Sequence, residues 1–174
     1  DLYLVGHQDV KAALMNKGIP SERIRVTGIP INPKFGETVN PSEERKRLKL
    51  DPEKKTILLM GGSRGLGGME KWVEALNGVS LPFQCVVVCG RNRRLVRKMI
   101  RKTNGSAHFL VLGFVKNLPQ IMSASDILIT KPGGLTCSEA LSRGLPLILT
   151  KPIPGQEERN VQFLTHHEVA SVSY

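Results

Sequence analysis

The chain predicts an open α/β fold, a doubly wound parallel sheet with helices on both faces. Three observations carry that expectation. From Lys55 onward, strand-like runs, loops and helical segments alternate. Residues 145–149 are apolar without interruption, the pattern of a parallel strand buried on both faces. Finally, a glycine turn at Gly133-Gly134 and a proline-glycine loop at Pro154-Gly155 follow two successive strands, where such a sheet places its ligand.

Taken in order, residues 1–6 read as a strand and 8–17 as a helix, with Val10, Ala13 and Leu14 at helical spacing. Gly18 and Pro20 stop that helix, and 25–27 form a short strand. Residues 28–40 are punctuated by proline and glycine, the expected place for a domain boundary. Asn40-Pro41-Ser42-Glu43 predicts an N-cap, a proline at the first helical position and an acid at the third. The helix it opens, through Leu48, reads as basic and exposed.

The alternation then begins. Residues 56–60 are a strand, 61–68 a glycine-rich loop and 69–76 a helix, with Trp72, Val73 and Leu76 expected in the core. A strand at 84–89 and a helix at 95–102 follow, and 108–112, 118–124 and 126–129 extend the pattern. Thr136 reads as a helix N-cap, with Glu139 three residues on completing a capping box. Gly144 and Pro146 end that helix. Residues 156–165 are the last expected helix and 170–172 the last strand.

The 174 residues suit one domain of ordinary size with a real core. No run of about 18 apolar residues occurs, so no membrane-spanning helix is expected. The sequence opens directly on a strand and stops inside another, which reads as a piece of a longer protein. Cys85, Cys89 and Cys137 are odd in number, and two lie in a buried strand, favouring a reduced, cytosolic setting over a disulfide framework. Lysine and arginine number 25 against 15 acids, a net charge of +10 that suggests an anionic partner. A merely solvated basic surface is the plain alternative.

The loop at 61–68 invites two nucleotide-binding readings and satisfies neither. A triphosphatase phosphate loop ends in Gly-Lys-Ser/Thr, and here Met69 follows Gly68. A dinucleotide fingerprint needs a glycine spacing that no register supplies, and an acid where this chain has Gly90-Arg91-Asn92. What remains is a glycine loop before a helix, able to approach a phosphate or a bulky acceptor, or simply a tight turn. Around Thr136, Gly133 and Gly134 let a ligand approach the backbone, and a helix start attracts phosphate. Lys131 ends a strand at the mouth of that turn, where a phosphate role is expected ahead of a merely solvated one. Gln156 and Glu157 follow a rigid turn with side chains suited to sugar hydroxyls.

Arg93, Arg97 and Arg101 share one helix face at i, i+4 spacing, within a basic run from Arg91 to Lys102. They suit an anionic membrane surface. The plain reading is a solvated helix face. Aromatic residues make up 5% of the chain, so no stacking platform for nucleic acid suggests itself. His7, His108, His166 and His167 have no cysteine or acid at metal-ligand spacing, and no metal site is expected. No nucleophile elbow is present.

These residues carry a resemblance. Lys131-Pro132-Gly133-Gly134-Leu135-Thr136, Ser138-Glu139-Ala140, Gly144-Leu145-Pro146 and Pro152-Ile153-Pro154-Gly155-Gln156-Glu157 with Asn160 together resemble the donor-binding half of glycosyltransferase family 28. Within it they are similar to the lipid-glycosylating branch of monogalactosyldiacylglycerol synthase and processive diacylglycerol glucosyltransferase. Gly61-Gly62-Ser63 also resembles the peptidoglycan N-acetylglucosaminyltransferase of that family. The resemblance implies two Rossmann-like domains facing a cleft, the GT-B arrangement. Residues 1–29 would end the acceptor-side domain, 30–53 would be linker and connecting helix, and 54–174 a donor domain truncated at its C-terminus.

It further implies an inverting transfer of a hexose from a UDP-sugar to diacylglycerol or a glycolipid, without metal or cofactor, by a cytoplasmic enzyme peripheral on the membrane. Glu139 would hold the ribose, and Gly133, Gly134 and Thr136 the diphosphate. The backbone at Gly113-Phe114-Val115 would meet uracil, and Gln156 and Glu157 the sugar. Gly62, Ser63, Arg91, Lys131, Pro154, Gly155 and Asn160 complete the expected donor site. The catalytic base would lie outside this chain, so no catalytic residue is assigned. The alternative is a UDP-sugar binding module, or an enzyme like UDP-N-acetylglucosamine 2-epimerase, on the same architecture.

Overall fold

The computed structural model describes residues 1–61, 68–103, 106–150 and 152–173, which form two compact units dividing between Asn32 and Pro33. In the first unit, β1 (Tyr3–Val5) and β2 (Ile24–Val26) pair in parallel, with α1 (Gln8–Met15) between them in sequence. Val5 and Ile24 are buried there.

The second unit is a six-stranded sheet in the order β5-β4-β3-β6-β7-β8, every pairing parallel. Its strands are β3 (Lys55–Met60), β4 (Phe83–Val88), β5 (Phe109–Leu112), β6 (Ile127–Thr130), β7 (Leu147–Leu149) and β8 (Ala170–Val172). The connecting helices are α3 (Met69–Asn77), α4 (Arg93–Thr103), α5 (Leu118–Ser123), α6 (Gly134–Ser142) and α7 (Gln156–His166). This is the doubly wound parallel sheet expected.

The central strands explain why the sequence folds this way. Every residue of β4 is buried, and Leu58, Leu59 and Met60 of β3 are buried beside it. One face of the sheet packs on Met69, Val73 and Leu76 of α3 and on Leu95 and Met99 of α4, with Trp72 half-buried against the same core. Lys98 bonds Glu70 at 2.6 Å and Lys102 pairs with Glu74, so these ion pairs join α4 to α3. Cys85, Cys89 and Cys137 are free thiols, all buried.

The division between the two units falls within the proline- and glycine-punctuated stretch 28–40, and one expectation about the helix after it needs correction. That helix, α2 (Pro41–Arg47), is capped as expected, the Asn40 Oδ1 accepting from Ser42 N and Glu43 N. It is not exposed all round, however. Glu44 is buried, and Arg45 donates to Ala124 O and Pro52 O at 2.9 Å and to Asp126 Oδ2 at 2.7 Å. Asp126 also accepts from Thr56 N at 2.7 Å, so the starts of β3 and β6 are tied to α2.

Candidate functional site

The strand order reverses direction between β3 and β6, which are neighbours with Met60 opposite Thr130. The crevice beyond the carboxyl ends of strands at such a switch is where doubly wound sheets bind ligands. The residues that follow β6 build one wall of it. Gly133 N turns back to Lys131 O at 2.7 Å, and Cys137 N bonds Gly133 O at 3.0 Å, so α6 begins at Gly134. Its N-cap is Gly133, without a side-chain cap. The expected cap at Thr136 is therefore wrong: Thr136 is the third helical residue and Glu139 the sixth. Glycine left no side-chain signal of the true start.

An uncapped start leaves the first-turn N–H groups of α6 without a side-chain acceptor at the positive end of the helix. Gly133 has an ordinary φ of −78, and a Cβ there would meet nothing within 4 Å. Neither backbone strain nor crowding by the protein requires glycine at this point, and without a Cβ the backbone there stays open to close approach.

Glu139 lies half-buried on α6, and among the described residues its carboxylate has no hydrogen bond or ion pair. Burial raises its carboxyl above the usual glutamate value. A half-buried carboxylate without a partner among the described residues has lone pairs open to accept hydrogen bonds.

The second wall is the loop before α7. Gly155 is its N-cap at φ 104, and Glu158 Oε2 accepts from Gly155 N at 3.0 Å. The two walls are tied together. Lys131 Nζ donates to Glu157 Oε1 at 2.5 Å, Glu157 Oε2 accepts from Ile153 N at 3.0 Å, and Asn160 Nδ2 donates to Pro132 O at 2.8 Å. Burial pushes the Glu157 carboxyl up, but the Lys131 hydrogen bond, the Ile153 N–H and the Lys131 charge together hold it below the usual range. Pro154 is exposed on that loop, and Gln156 is exposed at the first position of α7.

A third group stands at the carboxyl ends of β4 and β5. Arg91 lies over the Phe114 ring at 5.0 Å, and both line an open groove of about 600 Å³ with Gly90, Val96, Gly113, Arg93 and Arg97. Val115 follows, half-buried. Arg93 and Arg97, read from sequence as a membrane face, thus share a groove with Arg91 and Phe114. Arg101 lies one turn beyond Arg97 on α4, roughly 6 Å at 1.5 Å per residue, and is not among the residues that line the groove. Gly62 and Ser63, expected in the donor site, lie outside the described residues. Sequence reading missed the Lys131–Glu157 tie; two opposite charges on successive loops were the available signal. Among the described residues, no helix is long and apolar enough to cross a membrane.

A parallel doubly wound sheet, an uncapped helix start at its switch point and an acid on that helix unpaired among the described residues define the class: an open α/β domain with its polar features gathered at the switch point. The chain belongs to the glycosyl transferases group 1 family, whose profile matches residues 40–166. In sequence it is similar to the processive diacylglycerol beta-glucosyltransferases of Staphylococcus haemolyticus, 38% identical over 162 residues, and Staphylococcus epidermidis, 37% identical. The match covers 92% of this chain and 41% of each of those proteins, so the chain spans about two fifths of their length. The lipid-glycosylating resemblance read from the motifs is met.

In fold it is similar to HepE of Anabaena, solved with UDP and glucose, at a TM-score of 0.68 and 18% identity over 99% of this chain and 49% of that one. Acinetobacter baumannii MurG gives 0.64 at 19% identity, covering 99% of this chain and 51% of MurG. A putative UDP-N-acetylglucosamine 2-epimerase from Listeria monocytogenes gives 0.65 at 17%, covering 93% and 45%.

Proposed function

We propose that this chain is the donor-binding half of an inverting glycosyltransferase that moves a hexose from a UDP-sugar to diacylglycerol or a glycolipid. The observation that carries the reading is Glu139, a half-buried carboxylate without a partner among the described residues, on the helix whose start is uncapped at the switch point. Glu139 accepts the ribose hydroxyls, and the first turn of α6 (Gly134 to Thr136, entered through Gly133) receives the diphosphate. The backbone at 113–115 meets uracil beside Arg91, and Gln156 and Glu157 face the sugar.

Displacement at the anomeric carbon breaks its bond to the diphosphate, and the helix start stabilises the charge that develops on the leaving group. The attacking hydroxyl and its base come from outside this chain, and no metal or cofactor takes part. Arg93, Arg97 and Arg101 add attraction to an anionic membrane surface, which puts the enzyme on the cytoplasmic face as a peripheral protein. No nucleic acid is bound. Similarity in sequence to the staphylococcal diacylglycerol glucosyltransferases supports this acceptor.

A second reading, a UDP-sugar binding module or an epimerase-like enzyme, has support from the Listeria epimerase-like fold alone. Labelled UDP-glucose and UDP-galactose, incubated with diacylglycerol vesicles and the full-length protein, separate the two. Label in the lipid phase is expected; C2 epimerisation of UDP-N-acetylglucosamine without lipid labelling would decide for the second reading.

A further inference from the structure

We infer that Lys131 is a positioning residue: it fixes the Glu157 carboxylate for the sugar half of the donor and does not itself hold the diphosphate. The inference rests on the donor-site reading above and assigns Lys131 a role opposite to the one its place beside a phosphate-binding turn suggests.

The Lys131 and Glu157 side chains are 27% and 13% exposed, and their charges meet at 2.5 Å. Moving the ammonium onto a phosphate would strip a partly buried carboxylate of its counter-charge, which costs more than breaking an exposed pair would. The pair also cancels its own field, so Lys131 adds little attraction for a dianion nearby. The N–H groups at the α6 start do that work without rearrangement.

Glu157, by contrast, is left able to bind. A carboxylate has about four lone-pair sites. Lys131 takes one and Ile153 N another, on different oxygens, so acceptor capacity remains on both. A sugar hydroxyl donating there makes a charge-assisted bond. Asn160 Nδ2, donating to Pro132 O at 2.8 Å, also joins α7, which carries Glu157, to the turn that follows Lys131. Its charge also reaches the underside of α6: burial, and after it the Glu157 charge, pushes the buried Cys137 thiol up to about 12.

The test is calorimetry of UDP, UDP-glucose and UDP-galactose with wild type, Lys131→Met, Lys131→Arg and Glu157→Gln. Lys131→Met is expected to weaken the preferred UDP-hexose at least about tenfold while UDP binds within about twofold of wild type. Glu157→Gln should show the same selective loss, and Lys131→Arg, which keeps the ion pair, should restore hexose binding to within about threefold. Should Lys131→Met fail to fold, Glu157→Gln and Lys131→Arg decide by the same contrast. Equal loss of UDP and UDP-hexose in Lys131→Met would make Lys131 a diphosphate ligand and overturn the inference alone. Unchanged hexose binding in Glu157→Gln would also overturn it. Wild type binding neither UDP nor either UDP-hexose would overturn the donor reading and this inference together.

Discussion

Asp126 shows what a single side chain contributes far from the site. Burial pushes its carboxyl up, but the Thr56 N–H, then Lys55 and Arg45, outweigh that and hold it below the usual aspartate value. A depressed carboxyl contributes stability that is fully present above its unfolded pKa of about 3.9 and is lost as pH falls through the folded value. Asp126→Asn is therefore expected to cost about 1.5–3 kcal/mol at pH 7, the worth of hydrogen bonds to a charged group. The gap to wild type should shrink as urea melts are taken below about pH 3.9. A gap that persists undiminished in acid would mean the charge was not the source. Gly155 is a different case. Its φ of 104 is a conformation L residues rarely adopt, and a Cβ there would meet nothing within 4 Å. Gly155→Ala should cost about 1–3 kcal/mol through backbone strain alone, or shift the loop and weaken UDP-hexose binding. Thermal melts and calorimetry together detect either.

At the scale of elements, what was legible depended on burial. The strands β3, β4 and β6 were readable because both faces are covered, so apolar runs such as Leu58–Met60 and Cys85–Val88 carry no solvent-facing interruptions. The α2 cap was readable because Asn40-Pro41 is a local chemical signal. The burial of α2 was not, since Glu44 and Arg45 are charged and the Arg45 partner, Asp126, lies 81 residues away. The start of α6 was misread because Thr136 and Glu139 have capping-box spacing by coincidence, while the true cap is glycine. The turns after β6 and β7 stood out from composition, and the tie between them did not. The arginine face of α4 divides in the same way: its spacing was visible, its sharing of a groove with Arg91 and Phe114 was not. Two outcomes follow for α4. Arg93→Gln with Arg97→Gln should weaken UDP several-fold while Arg101→Gln leaves it unchanged. All three together should lower partitioning onto phosphatidylglycerol vesicles by roughly a hundredfold, at about 1 kcal/mol per basic residue. Wild-type partitioning should also fall with salt, and sedimentation that ignores salt would leave these arginines a solvated face.

For the molecule as a whole, the division of labour is the central matter. The chain spans about two fifths of the staphylococcal relatives, so binding and turnover separate experimentally. This chain alone is expected to bind UDP and to transfer nothing to lipid; measurable transfer by it would refute the division. The claim beneath this is that Glu139 on α6 is the ribose ligand. Its carboxyl is raised by burial and unpaired among the described residues, so the folded protein gains nothing from its charge, and Glu139→Gln should melt close to wild type. The decisive measurement is calorimetry of UDP with wild type and Glu139→Gln, alongside the 2′,3′-dideoxy nucleotide. The account predicts that wild type binds UDP, that Glu139→Gln binds it at least about tenfold more weakly, and that the dideoxy nucleotide binds both proteins about equally poorly. A Glu139→Gln protein that melts lower yet keeps its UDP affinity would contradict it.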